Sequence, residues 1–350
     1  MTFFKQFGGK VNDDLIGQYE QSENWRDGKF QNLELTSMGA GLWDLPRIIY
    51  KQLASDRTGR EPETPLPVQP FTVNEFTATS DKARFIWYGH SVVFIRMQGK
   101  NMLIDPMLGP DTTPIAPTTT KRFSENTLSL IDDFPEIDLI LLTHDHYDHL
   151  DYASIQKLKH KTGRYFVALG VKRHLVSWGI APDKITEFDW WETRNLDNIE
   201  ITFTPTRHFS GRGLTDRMKS LWGGWVFKTP AENIWFSGDG GYGSHFREVG
   251  RRLGPFDFAF MECGQYNDDW HLIHLFPEEA VQAALDAGAK KIMPVHWAGF
   301  ALSYQHTWWE PAEAFVQAAD EENIDYLLPP LGHLFDASSR LVERWWKVGS

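Results

Sequence analysis

Residues 138–158 run from a short apolar segment, Asp138-Leu-Ile-Leu-Leu142, through Thr143-His-Asp-His-Tyr-Asp-His-Leu-Asp151, into a stretch with Tyr152, Ile155 and Leu158 at helical spacing. The first part reads as a buried strand. Asp151 is placed to cap the helix that follows, and Gly163 stands near its end. A strand that feeds a helix through a histidine-rich loop points to an α/β layered fold, because open α/β sheets keep their sites in such loops. Within the loop the pattern H-x-H-x-D-H puts His144, His146, Asp148 and His149 inside six residues. Imidazole nitrogen and carboxylate oxygen are the donors that zinc and similar divalent ions take. Four such side chains in one sharp turn cannot all reach a single centre, so two adjacent metals are expected.

The rest of the chain continues in strands and helices. Arg84-Phe-Ile-Trp-Tyr88, Ser91-Val-Val-Phe-Ile95 and Asn101-Met-Leu-Ile104 are predicted strands, parted by the turn signals Gly89-His90 and Gln98-Gly99-Lys100. Further strands are predicted over 164–169, 199–204, 224–228, 233–237, 256–261 and 291–296. Pro277 to Gly288 reads as a helix with proline in its first turn and glycine at its end, and Glu310 to Glu322 as another. Hairpins early and alternating strands and helices later predict a layered α/β sandwich.

Residues 1–75 form a polar N-terminal arm expected to pack on a catalytic domain spanning 76–350, a single domain overall. Pro62 to Pro70 reads as an extended linker. Leu42-Trp43, Leu45, Ile48-Ile49 and Leu53 have the spacing of a short amphipathic helix, either packed inward or serving as a membrane-surface or substrate-entry element.

A two-metal centre needs more donors than one motif supplies, and strands deliver side chains rigidly to a common edge. Three residues follow predicted strands in suitable surroundings. His208 lies in Thr204-Pro-Thr-Arg-His208, Asp239 in Ser237-Gly-Asp-Gly-Gly-Tyr242, and His296 in Pro294-Val-His-Trp-Ala-Gly299. The glycines around Asp239 permit close backbone approach.

His144-x-His146-x-Asp148-His149, His208, Asp239 and His296, in this order, resemble the metal ligands of the metallo-β-lactamase superfamily. That resemblance implies an αββα sandwich and a binuclear centre, usually holding two Zn²⁺ ions, with other divalent transition metals as alternatives. It implies that His144, His146 and His208 hold one ion, that Asp148, His149 and His296 hold the other, and that Asp239 bridges them. Asp189-Trp-Trp-Glu192, Leu221-Trp-Gly223 and His296-Trp-x-x-Phe-Ala-Leu302, with His306 and Glu310-Pro311, are similar to the branch that hydrolyses N-acyl-phosphatidylethanolamine in phospholipase D fashion. The similarity spans about residues 80–335. Glu262-Cys-Gly-Gln-Tyr266 and the loop 267–273 depart from it.

The implied reaction is attack on a phosphodiester by a metal-bridging hydroxide, with Asp148 and His274 as catalytic candidates. His274 falls in the segment that resembles the branch's substrate-side histidine. Asp105, His90 and His306 are expected to orient ligands, with Asp151 a weaker candidate. Arg212 is a candidate for phosphate. Glu262 is either a buried strand-end carboxylate held by backbone amides or a group that reads the substrate. Ser237-Gly-Asp is read as a metal turn and not a nucleophile elbow, and Cys263 as a small core residue. The expected substrate is a phospholipid; a small phosphodiester or sugar-phosphate lactone is the alternative, and a non-catalytic metal-binding role a remote one.

Composition narrows the partners. A net charge of −12 argues against nucleic acid, whose phosphates need a basic surface. A single cysteine leaves no intrachain disulfide. Aromatic residues make up 14%, including 15 Trp, enough for core and for an apolar substrate pocket. With no run of ~20 apolar residues and no basic leader, a cytoplasmic or peripheral-membrane protein is expected. Oligomeric state is left open.

Overall fold

The apolar runs pair into two seven-stranded sheets, seen in a computed structural model that describes residues 3–37, 45–112, 120–213 and 215–347. The strands of the first sheet are β1 (Arg84–Trp87), β2 (Val93–Met97), β3 (Lys100–Ile104), β4 (Ile137–Leu142), β5 (Thr162–Ala168) and β6 (Ile185–Phe188). Those of the second are β7 (Thr193–Leu196), β8 (Ile199–Thr204), β9 (Gly224–Lys228), β10 (Asn233–Phe236), β11 (Phe258–Glu262), β12 (Lys291–Val295) and β13 (Asp325–Tyr326). A last strand, β14 (Leu334–Phe335), returns to the edge of the first sheet. The orders are β14-β1-β2-β3-β4-β5-β6 and β13-β12-β11-β10-β9-β8-β7. Each sheet is antiparallel in one half and parallel in the other: β3 to β6 and β10 to β13 run parallel.

Side-chain alternation sorts the two cores. Phe258 and Phe260 of β11 join the core between the sheets, where Phe85 of β1 meets them at ring distances of 5.6 and 5.2 Å. Ala259 and Met261 face the other way, into a second cluster with the helices His245–Leu253, Pro277–Asp286 and Glu310–Glu321. Strands covered on both faces read as continuous apolar runs, which is why β4 and β11 carry no polar alternation. Burying each such phenylalanine contributes roughly 1.5–3 kcal/mol.

The helix after the histidine loop spans Tyr152–Leu158, and Asp151 caps it by accepting from the Ala153 and Ser154 amides. β6 and β7 were not anticipated. The Asp189-Trp-Trp-Glu192 segment is the corner between them, where the chain passes from one sheet to the other. Trp190 is buried there and donates to the Trp222 carbonyl, while Trp191 sits at φ +71° beneath the Arg252 guanidinium.

The arm packs against the sandwich. Tyr19, Trp25 and Phe30 are buried in the main core. The proline segment is not a free linker: the Leu66 amide donates to Phe123 and the Gln69 amide to Leu331, so it lies along the body. A helix forms over Leu45–Ala54. Leu42 and Trp43, and the side chains of Leu45, Ile48, Ile49 and Leu53, lie outside the described residues. No described helix is long and apolar enough to cross a membrane.

Candidate metal centre

Six strands that run in the same direction place polar residues at one end of the sandwich. Asp105 follows β3, the histidine loop follows β4, His208 follows β8, Asp239 follows β10, Glu262 ends β11 and His296 follows β12. Several of these positions need unusual backbone. Asp105, His296 and His90 adopt φ of +42°, +72° and +52°, a region that costs non-glycine residues energy and collects at functional sites. Gly238, at φ +70°, leaves no room for a Cβ, which would lie 2.3 Å from the Gly223 carbonyl oxygen.

The structure brings all seven expected ligands together. His144 Nε2 lies 2.9 Å from His146 Nδ1, and His208 Nε2 lies 3.2 Å from the same atom. His149 Nε2 and His296 Nε2, one from each sheet, are 3.3 Å apart, and each is 3.0 Å from Asp239 Oδ2. Asp148 Oδ2 lies 3.5 Å from His149 Nε2 and 3.4 Å from His296 Nε2.

The far side of each ring determines which nitrogen faces inward as a lone pair. The Thr143 hydroxyl donates to Asp105 Oδ2 at 2.6 Å, so its contact with His144 Nδ1 at 2.9 Å is accepted from the ring. His149 Nδ1 donates to Asp105 Oδ2 at 2.8 Å, and His208 Nδ1 donates to the Ile273 carbonyl at 2.9 Å. His296 Nδ1 has the Gly264 carbonyl and Glu262 Oε1 as acceptors, both at 3.3 Å. Four Nε2 atoms and His146 Nδ1 therefore converge with the carboxylates of Asp148 and Asp239. Lone pairs that face one another at these distances repel, and a divalent cation between them reverses the sign.

Burial and the two carboxylates set the charge of the cluster. Burial, helped by the neighbouring imidazoles, holds His144 and His208 well below the usual histidine range. Burial also brings His146 down to about 4 and His90 to about 3. Burial opposes charge on His149 and His296 too, yet the nearby carboxylates, Asp239 foremost, outweigh it and raise both. Asp148 and Asp239 resist burial and stay well below the carboxylate range because His149 and, for Asp239, His296 lie beside them. The same negative field would draw in a cation.

Around the cluster, Asp105 orients His149 and, through Thr143, His144. His90 Nε2 lies 2.9 Å from Asp148 Oδ2 and orients that carboxylate. His274 stacks on His296 at 5.2 Å, and its Nδ1 lies 3.0 Å from Glu262 Oε1. His274, His208 and Asp239 offer donor atoms within 4.8 Å of one another.

One alternative is decided and two expectations are corrected. Glu262 is the buried strand-end carboxylate, accepting from the Leu275 amide at 2.7 Å and from His274, and it is not a group that faces the cleft. Arg212 points away from the cleft, because its guanidinium donates to the Asp145, Leu150 and Gln6 carbonyls and stacks on Tyr147. His306 stacks on Tyr266 and pairs with the Thr307 carbonyl, not with a ligand. Asp151 is a helix cap. Ser237 accepts the Glu262 amide, consistent with a supporting turn.

Sequence reasoning missed Asn32, whose side chain clasps the His208 backbone, and Asp145, a buried hub between two ligands. Only the second left a trace, as an extra carboxylate inside the motif.

The family model of a beta-lactamase superfamily domain matches residues 100–297, more than half of the chain. A Mycobacterium tuberculosis protein is 34% identical over 334 residues, 94% of this chain and 88% of its own. An N-acyl-phosphatidylethanolamine-hydrolyzing phospholipase D of Caenorhabditis elegans is 27% identical over 349 residues, covering 93% of this chain and 98% of that one. The solved structure of a metallo hydrolase from Ignicoccus hospitalis shares the fold, with a TM-score of 0.55 at 18% identity over 73% of this chain and 97% of that chain. With its two-sheet sandwich and its His/Asp cluster, the chain belongs to the metallo-β-lactamase superfamily and is a metal-dependent hydrolase.

Proposed function

We propose that the chain is a binuclear zinc phosphodiesterase of phospholipase D type acting on N-acyl-phosphatidylethanolamine-like lipids. The observation that carries the two-ion reading is the inward convergence of five imidazole nitrogens, four of them on rings whose outer nitrogen is already committed to an acceptor. They divide into His144, His146 and His208 on one side and His149 and His296 with Asp148 on the other, with Asp239 between. Two bound ions would lower the pKa of a shared water towards ~7 and offset charge on the phosphoryl oxygens.

The chain's own groups then have distinct tasks. Asp148, oriented by His90, accepts a proton from the attacking water. His274, anchored through Nδ1 on Glu262, presents its opposite ring edge to the phosphate and delivers a proton to the leaving oxygen. Glu262 keeps that ring upright and stacked on His296.

The lipid reading is supported by the C. elegans relative and by the arm. Leu33 and Leu35 are 55% and 96% exposed, and they flank residues fastened to the His208 and Asp239 loops. Two exposed leucines beside the site suit contact with a lipid surface. One observation favours the second reading, a small phosphodiester or sugar-phosphate lactone. The loop before His274 is polar, with Asp269 paired to Arg47 and Lys51 at 2.9 and 2.7 Å.

Incubating the zinc-loaded protein with N-acyl-phosphatidylethanolamine is expected to release N-acylethanolamine and phosphatidic acid. No release at full loading would overturn the lipid reading, and opening of a lactone without lipid cleavage would favour the second.

A further inference from the structure

We propose that Asp145, which faces away from the metal cluster, is the positioning residue for its tris-histidine half, and that the first residues of the arm lock it in place. The proposal rests on the two-ion reading above.

Asp145 sits between the ligands His144 and His146, fully buried. Its Oδ1 accepts the Gly211 amide at 2.7 Å, three residues after His208. Its Oδ2 accepts the Ser220 hydroxyl at 2.5 Å. Ser220 is in turn tied to Ser210, whose hydroxyl donates to the Ser220 carbonyl at 2.6 Å and accepts its amide at 3.2 Å. One carboxylate thus joins the backbone that carries His144 and His146 to the loop that carries His208. These three rings are the ones that converge on His146 Nδ1.

A buried carboxylate needs compensating charge. Arg173 supplies it, with Nη2 3.5 Å from Asp145 Oδ2; His174 Nε2, 3.3 Å from the same oxygen, adds a hydrogen bond from a neutral ring, and Arg212 donates to the Asp145 carbonyl at 2.7 Å. The arm closes over these partners. A Cβ on Gly8 would lie 2.1 Å from His174 Nδ1, and one on Gly9 would lie 2.2 Å from the Arg173 carbonyl oxygen. The Gln6 carbonyl accepts from Arg212 Nε and Nη2 at 3.1 and 2.9 Å, and the Lys5 carbonyl accepts from Trp178 Nε1 at 2.6 Å. The segment 5–9 therefore seals a charged network that reaches both ligand-bearing loops.

An amide cannot replace the acid. Asn at this position would accept at one oxygen only and turn an NH₂ towards Ser220, Arg173 and His174, which are all donors.

The test is metal binding by the full chain, read by chelator competition and by the visible absorption of the cobalt(II)-loaded protein. Asp145→Asn is expected to weaken one ion on the order of 10–100-fold and to shift its cobalt bands. The second ion should keep its affinity, and the far-ultraviolet circular dichroism should match wild type. Gly8→Ala leaves Asp145 intact but drives a methyl group into His174, and should weaken the same ion to a smaller extent. Wild-type affinity and unchanged bands in Asp145→Asn would overturn the proposal, as would equal loss of both ions. Should that variant fail to fold, unaltered bands in both Gly8→Ala and Ser220→Ala would overturn it instead. A wild-type chain that titrates with one ion refutes the two-ion reading alone; Asp145→Asn must still weaken that ion.

Discussion

Asn32 grips the backbone of His208 from both sides: its amide nitrogen donates to the His208 carbonyl at 2.8 Å and its amide oxygen accepts the His208 N–H at 3.0 Å. The same oxygen accepts from Trp222 Nε1 at 3.1 Å. An arm residue far from the metal motif in sequence therefore sets the height of a candidate ligand.

Removing that grip leaves a buried N–H without a partner. Asn32→Ala is expected to cost about 1–3 kcal/mol in urea unfolding. Asn32→Asp, which keeps the acceptor and loses the donor, should fall between the two. Equal stability of Asn32→Ala and wild type would show that the arm does not brace the site.

His146→Ala and Asp239→Asn each remove a donor at the point where the others converge. Both variants should lose bound metal and hydrolase activity together, while circular dichroism keeps the signature of the folded sandwich. The pairing of readouts decides the matter, since activity that survived metal loss would mean the cluster is not the reaction centre.

Asp105 accepts three hydrogen bonds on two oxygens, from the Thr143 amide at 2.8 Å, the Thr143 hydroxyl at 2.6 Å and His149 Nδ1 at 2.8 Å. In Asp105→Asn one amide oxygen cannot serve all three, and an NH₂ facing His149 Nδ1 would drive the proton to Nε2, where the lone pair is needed. Metal affinity is expected to fall roughly 10–100-fold with little loss of fold. Isothermal titration with zinc distinguishes this from a merely structural role, in which affinity would hold.

Away from the cluster, burial brings His245 down to about 3, against the opposing pull of Glu34. Its unfolded-state value is near ~6.5. The sign follows directly: below ~6.5 the unfolded chain takes up a proton that the folded chain refuses. The stabilisation is present above ~6.5 and is lost as pH falls towards about 3. His174, held at about 4 by burial first and by Arg173 next, adds to the same slope. His245→Leu should therefore lose less melting temperature than wild type between neutral and mildly acidic pH. Parallel melting curves for the two proteins would contradict this.

Much of the site could be read along the chain because each candidate ligand follows a strand. β4, β10 and β12 are visible as apolar runs and β8 as an alternating one, and the residues just beyond them converge because strands that run in the same direction end at one edge. Boundaries moved by a residue or two, as at β11, where Glu262 proved to be the last strand residue. β6 and β7 escaped because β7, with the sequence Thr193-Arg-Asn-Leu196, is polar and half exposed, so no apolar pattern marks it. Most of the tryptophans that hinted at a lipid pocket serve packing, Trp190 at the corner and Trp87, Trp222, Trp225, Trp235 and Trp297 in the cores.

Residue type and spacing alone pick out the candidate donors and their order, since H-x-H-x-D-H and the three strand-end residues are local features of the chain. What surrounds them depends on the tertiary fold. Whether Arg212 faces a phosphate or a ring of carbonyls, whether Glu262 meets substrate or a backbone amide, and that Asn32 and Asp145 brace the ligand loops all depend on contacts between segments far apart in sequence. Hydrogen-bond acceptors for a buried side chain are assembled by the fold, and no spacing along the chain encodes them.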